Sequence, residues 1–239
     1  MKLNNYKMIA HRGLFNNEKG IPENSIEAFK LAVENDFAIE LDVHITLDEE
    51  IVVFHDNNIK RMTGVNAIVE DCTFEYLSSL NLINTKYNIP KLKDVLDLID
   101  GKVPLLIEIK NTRRVGKLEL KLMEMLTLYN GKYIIESFNP LSLYFIRKRY
   151  PRVIIGQLAS KNMEEVSSNI KRFILENMLL NFLVKPNFIA YDINYINERF
   201  VNKCHRQGRY LYGWTAKTKK EIENFIKICD GVIFEKPKE

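Results

Sequence analysis

Ile39-Glu40-Leu41-Asp42-Val43 is apolar enough for a buried strand, yet it carries two carboxylates. Side chains alternate along a strand, so Glu40 and Asp42 face one way while Ile39, Leu41 and Val43 face the other. Neighbouring carboxylates in an apolar setting repel each other and lose hydration unless a cation lies between them. The stretch therefore predicts a metal site in preference to surface carboxylates on a sheet edge. Ile9-Ala10-His11-Arg12-Gly13 and Ile107-Glu108-Ile109-Lys110 repeat the pattern, each a short apolar run that ends in polar groups. Glu108 and Lys110 again share one face.

Outward from these stretches, short apolar runs alternate with amphipathic segments along the whole chain. The runs are residues 6–11, 37–43, 103–109, 133–136, 153–157, 188–191, 210–214 and 231–234. Helical spacing fills 25–35, 116–129, 140–150, 196–207 and 218–228, with Ser25 placed as an N-cap and Gly208 where a helix ends. Eight strands with helices between them predict an α/β fold, the TIM (β/α)8 barrel. An open doubly wound sheet is the rival, weakened because no glycine-rich phosphate loop follows any of these strands.

Two regions exceed a bare eightfold unit. Residues 51–54 read as a small extra strand, and 56–101 as an insertion after the second strand, ending in a helix over 92–99. Residues 160–185 read as a long helical segment. Neither has linker composition, so residues 1–239 are taken as one domain.

A hydrophobic fraction of 46% beside 28% charged residues supports a sizeable core. A net charge of +4 is too mild to indicate nucleic acid, and no basic block is interleaved with aromatics. Arg113-Arg114 and Arg147-Lys148-Arg149 read as solvated helix faces. Cys72, Cys204 and Cys229 lack ligand spacing and read as reduced, structural thiols. The first six residues show no signal segment, and a cytoplasmic protein is expected. The apolar stretch 173–184 is too short to span a bilayer. Packing on the barrel is favoured for it over peripheral contact with a membrane.

In a barrel, chemistry gathers at the C-terminal ends of the strands. His11 and Arg12 end the first, Glu40 and Asp42 lie late in the second, and Glu108 and Lys110 end the third. Glu40, Asp42 and Glu108 form an all-oxygen set suited to one hard divalent cation, Mg²⁺ or Ca²⁺, with Mn²⁺ also accepted. Zinc suits it less, for want of spaced histidines. Arg12 and Lys110 would make the mouth positive enough for a phosphate. His11 and His55, the latter followed by Asp56, suit general acid and base work near neutral pH. His44 shares the parity of Asp42 but falls near a loop, and is read as a supporting group. His205 is read as a helix C-terminal dipole partner.

His11-Arg12-Gly13, Pro22-Glu23-Asn24-Ser25, Glu40-x-Asp42 and His55-Asp56 with Arg61 and Thr63 resemble the glycerophosphodiester phosphodiesterase family. Ile89-Pro90, Glu108-x-Lys110, Ser137-Phe138, Gly213-Trp214-Thr215 and Asp230-Gly231 continue the resemblance in order to the C-terminus. It implies a TIM barrel enzyme that hydrolyses glycerophosphodiesters to an alcohol and glycerol 3-phosphate with a divalent cation. Metal binding would fall to Glu40, Asp42 and Glu108, acid/base catalysis to His11 and His55, and phosphate contact to Arg12 and Lys110. The hydroxyl next to the phosphate would attack phosphorus, giving a cyclic phosphate that water opens; which histidine is acid and which base is left open. Phe138 and Trp214 line the glycerol pocket or belong to an aromatic core, two readings that stand level.

Departures from the family pattern are Asn35-Asp36-Phe37-Ala38 before the second strand, Lys91 after Ile89-Pro90, and Phe234-Glu235 near the C-terminus. None removes a candidate catalytic group; Glu235 bears on the choice of head group. Alternative readings are a lysophospholipase D, a hydrolase of glycerol phosphate polymers, and a non-catalytic phosphodiester-binding module. The partner expected is a small-molecule glycerophosphodiester, and oligomeric state stays open.

Overall fold

The eight predicted strands all form in the computed structural model, which describes residues 6–111, 113–163 and 168–237. Residues 1–5 of the N-terminal reading and 164–167 of the helical segment lie outside those described. In chain order the strands are β1 Met8–Ala10, β2 Ala38–Ile45, β3 Ile51–Val53, β4 Leu105–Ile109 and β5 Tyr133–Ser137. They continue as β6 Ile155–Ala159, β7 Phe188–Asp192, β8 Tyr210–Ala216 and β9 Gly231–Phe234. The sheet order is β1-β9-β8-β7-β6-β5-β4-β2-β3, and β1 also pairs with β2, so eight strands form the closed order of a TIM barrel. The ninth strand, β3, is the small extra run; it pairs antiparallel with β2 and leads into the insertion.

Residue contacts divide the chain into two compact units, Ala10–Tyr133 and Met1–Ile9 with Ile134–Glu239. In the first, β2 and β4 run parallel with Asp42 directly across from Glu108. β2 is buried from Ala38 to His44 and β4 throughout, as a strand covered on both faces must be. The helix Ile26–Glu34 starts where the Ser25 hydroxyl accepts a hydrogen bond from the Ala28 amide, and it buries Ala28, Phe29 and Ala32. The helix Leu92–Ile99 buries Leu92, Val95, Leu96 and Ile99, an apolar stripe at helical spacing. The insertion has its own apolar cluster, in which Ile59, Met62, Val69, Leu77 and Leu82 pack beneath Val52 and Phe54. Lys91, one of the family departures, pairs with Glu50 at 3.1 Å and lies 4.4 Å from the Phe74 ring centroid.

The second unit runs β5-β6-β7-β8-β9, all parallel. Ile189, Tyr191, Leu211, Cys204 and Cys229 share one core cluster. Strand boundaries move where local chemistry intervenes. β4 begins at Leu105 because Pro104 has no amide to donate, although its carbonyl accepts from Ile39. β6 begins two residues later than predicted because Val153 N–H closes a turn onto Tyr150 O.

Three readings of basic and helical segments change. Arg113 and Arg114 lie in a loop, and Arg113 pairs with Glu70 and Asp71. Arg147 is no solvated group: its guanidinium donates to the carbonyls of Val184, Lys185 and Pro151 and to Asn187 Oδ1. The stretch 173–184 packs only in part. Val184 and Asn181 are buried, but Phe173, Leu179, Phe182 and Leu183 are exposed. No helix among the described residues is long and apolar enough to cross a membrane.

Candidate active site

The carboxylates of Glu40, Asp42 and Glu108 are all buried, and each offers an oxygen within 4.8 Å of the others. Strand geometry produces this directly. Glu40 and Asp42 project from one face of β2, and Glu108 stands beside Asp42 in the parallel register. Lys110, just past the end of β4, places Nζ 2.7 Å from Glu108 Oε1 and 3.2 Å from Asp42 Oδ1. Burial disfavours the charge of Asp42, but Lys110, His55 and Arg12 hold its carboxyl far below the usual carboxylate range. Glu108 moves the other way: burial and the adjacent Asp42 charge push its carboxyl up, against the pull of Lys110. Burial also opposes the charge of Lys110, yet Asp42 and Glu108 raise its affinity for the proton well above that of a free lysine.

These residues fit a metal ion. Asp42 Oδ1 is buried and, beyond the 3.2 Å ion pair with Lys110, has no hydrogen bond among the described residues, so a lone pair is left for a ligand. Three buried carboxylates this close repel one another, and a divalent cation among them would relieve that repulsion. An all-oxygen donor set of this kind selects hard cations.

The turn after β1 supplies the next groups. Arg12 adopts a left-handed backbone, φ 53°, which turns its amide to donate to Glu40 Oε2 at 2.8 Å. Gly13 is the next residue, at φ 77°, and a Cβ there would lie 2.9 Å from Ala28, so the turn accepts only glycine. His11 Nε2 lies 4.0 Å from Glu40 Oε2. The Arg12 guanidinium donates to Glu23 Oε1 at 2.6 Å and stands 3.5 Å from Asp42 Oδ2.

His55 lies just after β3, where the neighbouring Phe54 amide donates to the Asp42 carbonyl at 3.0 Å and the His55 carbonyl meets buried His44. His55 Nδ1 is 2.6 Å from Asp56 Oδ1. Burial opposes the Asp56 charge, but hydrogen bonds from His55 and Arg61 keep the carboxylate ionised, able only to accept. In neutral His55 the proton therefore sits on Nδ1, leaving the Nε2 lone pair as the basic position. Arg61 meets Asp56 through Nε at 2.6 Å and Nη2 at 3.0 Å. The same guanidinium meets Glu23 at 2.6 and 3.0 Å, so a continuous charged chain ties His55 to Arg12.

His44 lies inside β2, not in a loop, and is fully buried. Desolvation lowers its pKa to about 4, so the ring is neutral near pH 7, and its Nε2 contacts the His55 carbonyl at 3.2 Å. It supports the main chain of His55. His205 pairs with the Asp230 carboxylate at 2.9 Å, a specific partner in place of the helix dipole alone. Phe138 and Trp214, in the second unit, form an edge-to-face pair with centroids 5.7 Å apart. Both are half-buried, so neither is sealed core, and Trp214 Nε1 is a buried donor without a hydrogen-bond partner among the described residues. Glu235 stands 3.8 Å from Lys217.

In the sequence, Glu23 and Asn24 stand out only as part of a turn. Both are buried, and Asn24 Nδ2 donates to Asp42 Oδ2 at 2.8 Å. Asn24 holds a left-handed backbone, φ 53°, and its amide nitrogen donates to Arg12 O at 3.0 Å. The only sequence signal is a carboxylate and an amide between Pro22 and a Ser25 cap. Burial alone separates that from an ordinary solvated turn.

Solved structures share this architecture. A glycerophosphodiester phosphodiesterase structure from Parabacteroides distasonis superposes with a TM-score of 0.76 at 23% identity, over 98% of this chain and 94% of that one. An Oleispira antarctica phosphodiesterase, determined in complex with the product sn-glycerol-3-phosphate, gives a TM-score of 0.79 at 18% identity, over 95% and 92%. In sequence, the chain is 33% identical over 245 residues to a glycerophosphodiester phosphodiesterase of Caldanaerobacter subterraneus subsp. tengcongensis, covering 96% of this chain and 94% of that protein. The profile of the glycerophosphoryl diester phosphodiesterase family matches residues 11–239, and the chain belongs to that family of phosphoric diester hydrolases.

Proposed function

We propose that this protein hydrolyses glycerophosphodiesters to an alcohol and glycerol 3-phosphate, using one divalent cation held by Glu40, Asp42 and Glu108. The observation that carries the reading is the buried carboxylate trio with its ligating oxygens within 4.8 Å of one another. Mg²⁺ or Ca²⁺ suits the donor set, and Mn²⁺ is accepted. The bound cation supplies charge stabilisation to the phosphoryl oxygens.

The remaining chemistry belongs to side chains. Arg12 and Lys110 hold and orient the phosphate, countering its charge in a site of low dielectric. His11 and His55 act as an acid/base pair. One takes the proton from the glycerol hydroxyl adjacent to the phosphate as that oxygen attacks phosphorus. The other protonates the departing alcohol oxygen, and a cyclic phosphate results. Water then opens the ring with the proton roles exchanged. Asp56 keeps His55 in the tautomer that presents Nε2, and stabilises the imidazolium when it forms. Phe138 and Trp214 are assigned to glycerol contact, supported by their half-exposure and the unpartnered Trp214 Nε1. Residues 1–239 would act as a single catalytic domain. Three buried, unbridged thiols accord with the reducing cytoplasm.

Release of glycerol 3-phosphate from glycerophosphocholine, after chelation and after return of Mg²⁺, Ca²⁺ or Mn²⁺, tests the reading. Activity lost on chelation and restored by a metal is expected. Lysophosphatidylcholine and a glycerol phosphate polymer, assayed alongside, separate the lysophospholipase D and polymer alternatives. Binding of all three without turnover in any metal would leave only a phosphodiester-binding module. The hydrogen bond from Asn24 to Asp42 yields a second expectation. Asn24→Ala should weaken metal binding about 10- to 100-fold, the usual effect of losing an outer partner of a metal ligand. Metal titration of activity checks this, and an unchanged midpoint would remove Asn24 from that role.

A further inference from the structure

The helix Asn169–Glu176 and the short helix Asn181–Val184, both between β6 and β7, present an apolar surface that the reaction does not use. No side chain of the first helix is fully buried. Ile170 and Phe173, one turn apart, are 76% and 60% exposed. In the second helix Phe182 is 68% exposed beside exposed Leu183, and exposed Leu179 lies just before them. This is not a fraying end. Asn181 and Val184 are buried where the second helix packs on the helix Pro140–Arg149. Arg147 clamps the end of the second helix and the strand entry beyond it, donating to the Val184 carbonyl at 3.3 Å, the Lys185 carbonyl at 3.0 Å and Asn187 Oδ1 at 2.7 Å. The second helix is thus anchored, and across the two helices and the turn between them five large apolar side chains stand exposed. Clusters of this kind on a protein surface mark an interaction face.

Charge identifies the occupant. Residues 169–187 carry Lys171, Arg172 and Lys185 against a single carboxylate, Glu176. Lys171, between Ile170 and Phe173, and Lys185, two residues beyond Leu183, are both exposed. We propose that this segment seats the protein on the surface of an anionic phospholipid bilayer. Ile170, Phe173, Leu179, Phe182 and Leu183 enter the boundary between headgroups and acyl chains, and the two lysines meet lipid phosphates. A second copy of the chain fits less well. A twofold contact through this face is self-complementary, so it would set the same cations against each other with one carboxylate per copy to offset them. The seat is independent of turnover, and binding therefore tests it separately from the reaction.

Flotation with vesicles of phosphatidylcholine alone, and of phosphatidylcholine mixed with phosphatidylglycerol, reads the contact directly. The wild-type protein is expected to float with the mixed vesicles and to be left behind by phosphatidylcholine alone. The double variant Phe173→Asp/Phe182→Asp should lose more than about tenfold in bound fraction. Its circular dichroism and melting temperature should be unchanged, because both side chains are exposed. Lys171→Glu/Lys185→Glu should also reduce binding, and about 1 M salt should weaken the wild type. Wild-type protein that stays in the dense fraction, or a Phe173→Asp/Phe182→Asp variant that floats undiminished, overturns the proposal. A solution dimer of the wild type that the same double variant makes monomeric would assign the face to a second copy instead.

Discussion

His55→Ala and His11→Ala are each expected to lower turnover by more than about a hundredfold, the lower end of what a positioned acid or base contributes. Folding should survive. His55 and His11 both retain solvent exposure, so truncation leaves no sealed cavity. Asp56→Asn provides the internal control. An asparagine keeps the shape but offers Nδ1 an amide in place of a carboxylate, and nothing then enforces the Nε2-basic tautomer. Turnover should fall while substrate affinity changes little, because Asp56 touches His55 and Arg61 and has no direct claim on the phosphate. Turnover numbers with unchanged melting temperatures are the measurement. Near-wild-type turnover in either histidine variant would refute its assignment as an acid/base group.

Asp42→Asn is expected to remove the response to metal. In the wild type, a divalent cation at about 100 times its dissociation constant should stabilise the fold by about 2.7 kcal/mol. For a chain of this size that corresponds to a rise in melting temperature of about 5 to 10 °C. The variant should show no such rise, and its turnover should be more than about a hundredfold lower at any metal concentration. Its metal-free stability should stay close to wild type, because two changes oppose each other. Lys110 loses one carboxylate neighbour, while Glu40 and Glu108 lose a repelling charge. Asn24 retains a carbonyl to donate to. Differential scanning with and without Mg²⁺, Ca²⁺ and Mn²⁺ decides the matter without an activity assay. A metal-induced rise that persists in Asp42→Asn places the ion elsewhere.

The groups that sequence made legible are those whose position comes from alternation along a strand. Glu40, Asp42 and Glu108 had to share a face once β2 and β4 were recognised as buried and parallel, and the structure sets Asp42 across from Glu108. Glu23 and Asn24 obey no such period. Their burial comes from a turn folding back onto Arg12 and Asp42, a contact across 18 residues in the case of Asn24. Arg61 likewise joins Glu23 across 38 residues, and its spacing alone says nothing of that partner.

The misread segments have the same origin. Arg147 resembles any other cation in the last turn of a helix until its guanidinium is found among backbone and side-chain acceptors. The apolar stretch 173–184 has the composition of a buried helix, and composition cannot reveal that an anchor at Asn181 and Val184 leaves Phe173, Leu179, Phe182 and Leu183 exposed. By itself, the sequence determined the barrel class and the placement of the carboxylates on strands, because apolar period and strand parity are local properties of the chain. Tertiary structure alone decided the charged chain from His55 to Arg12, the burial of His44 and the exposed apolar face. Each of these depends on which distant backbone arrives to exclude water, and no local period encodes that.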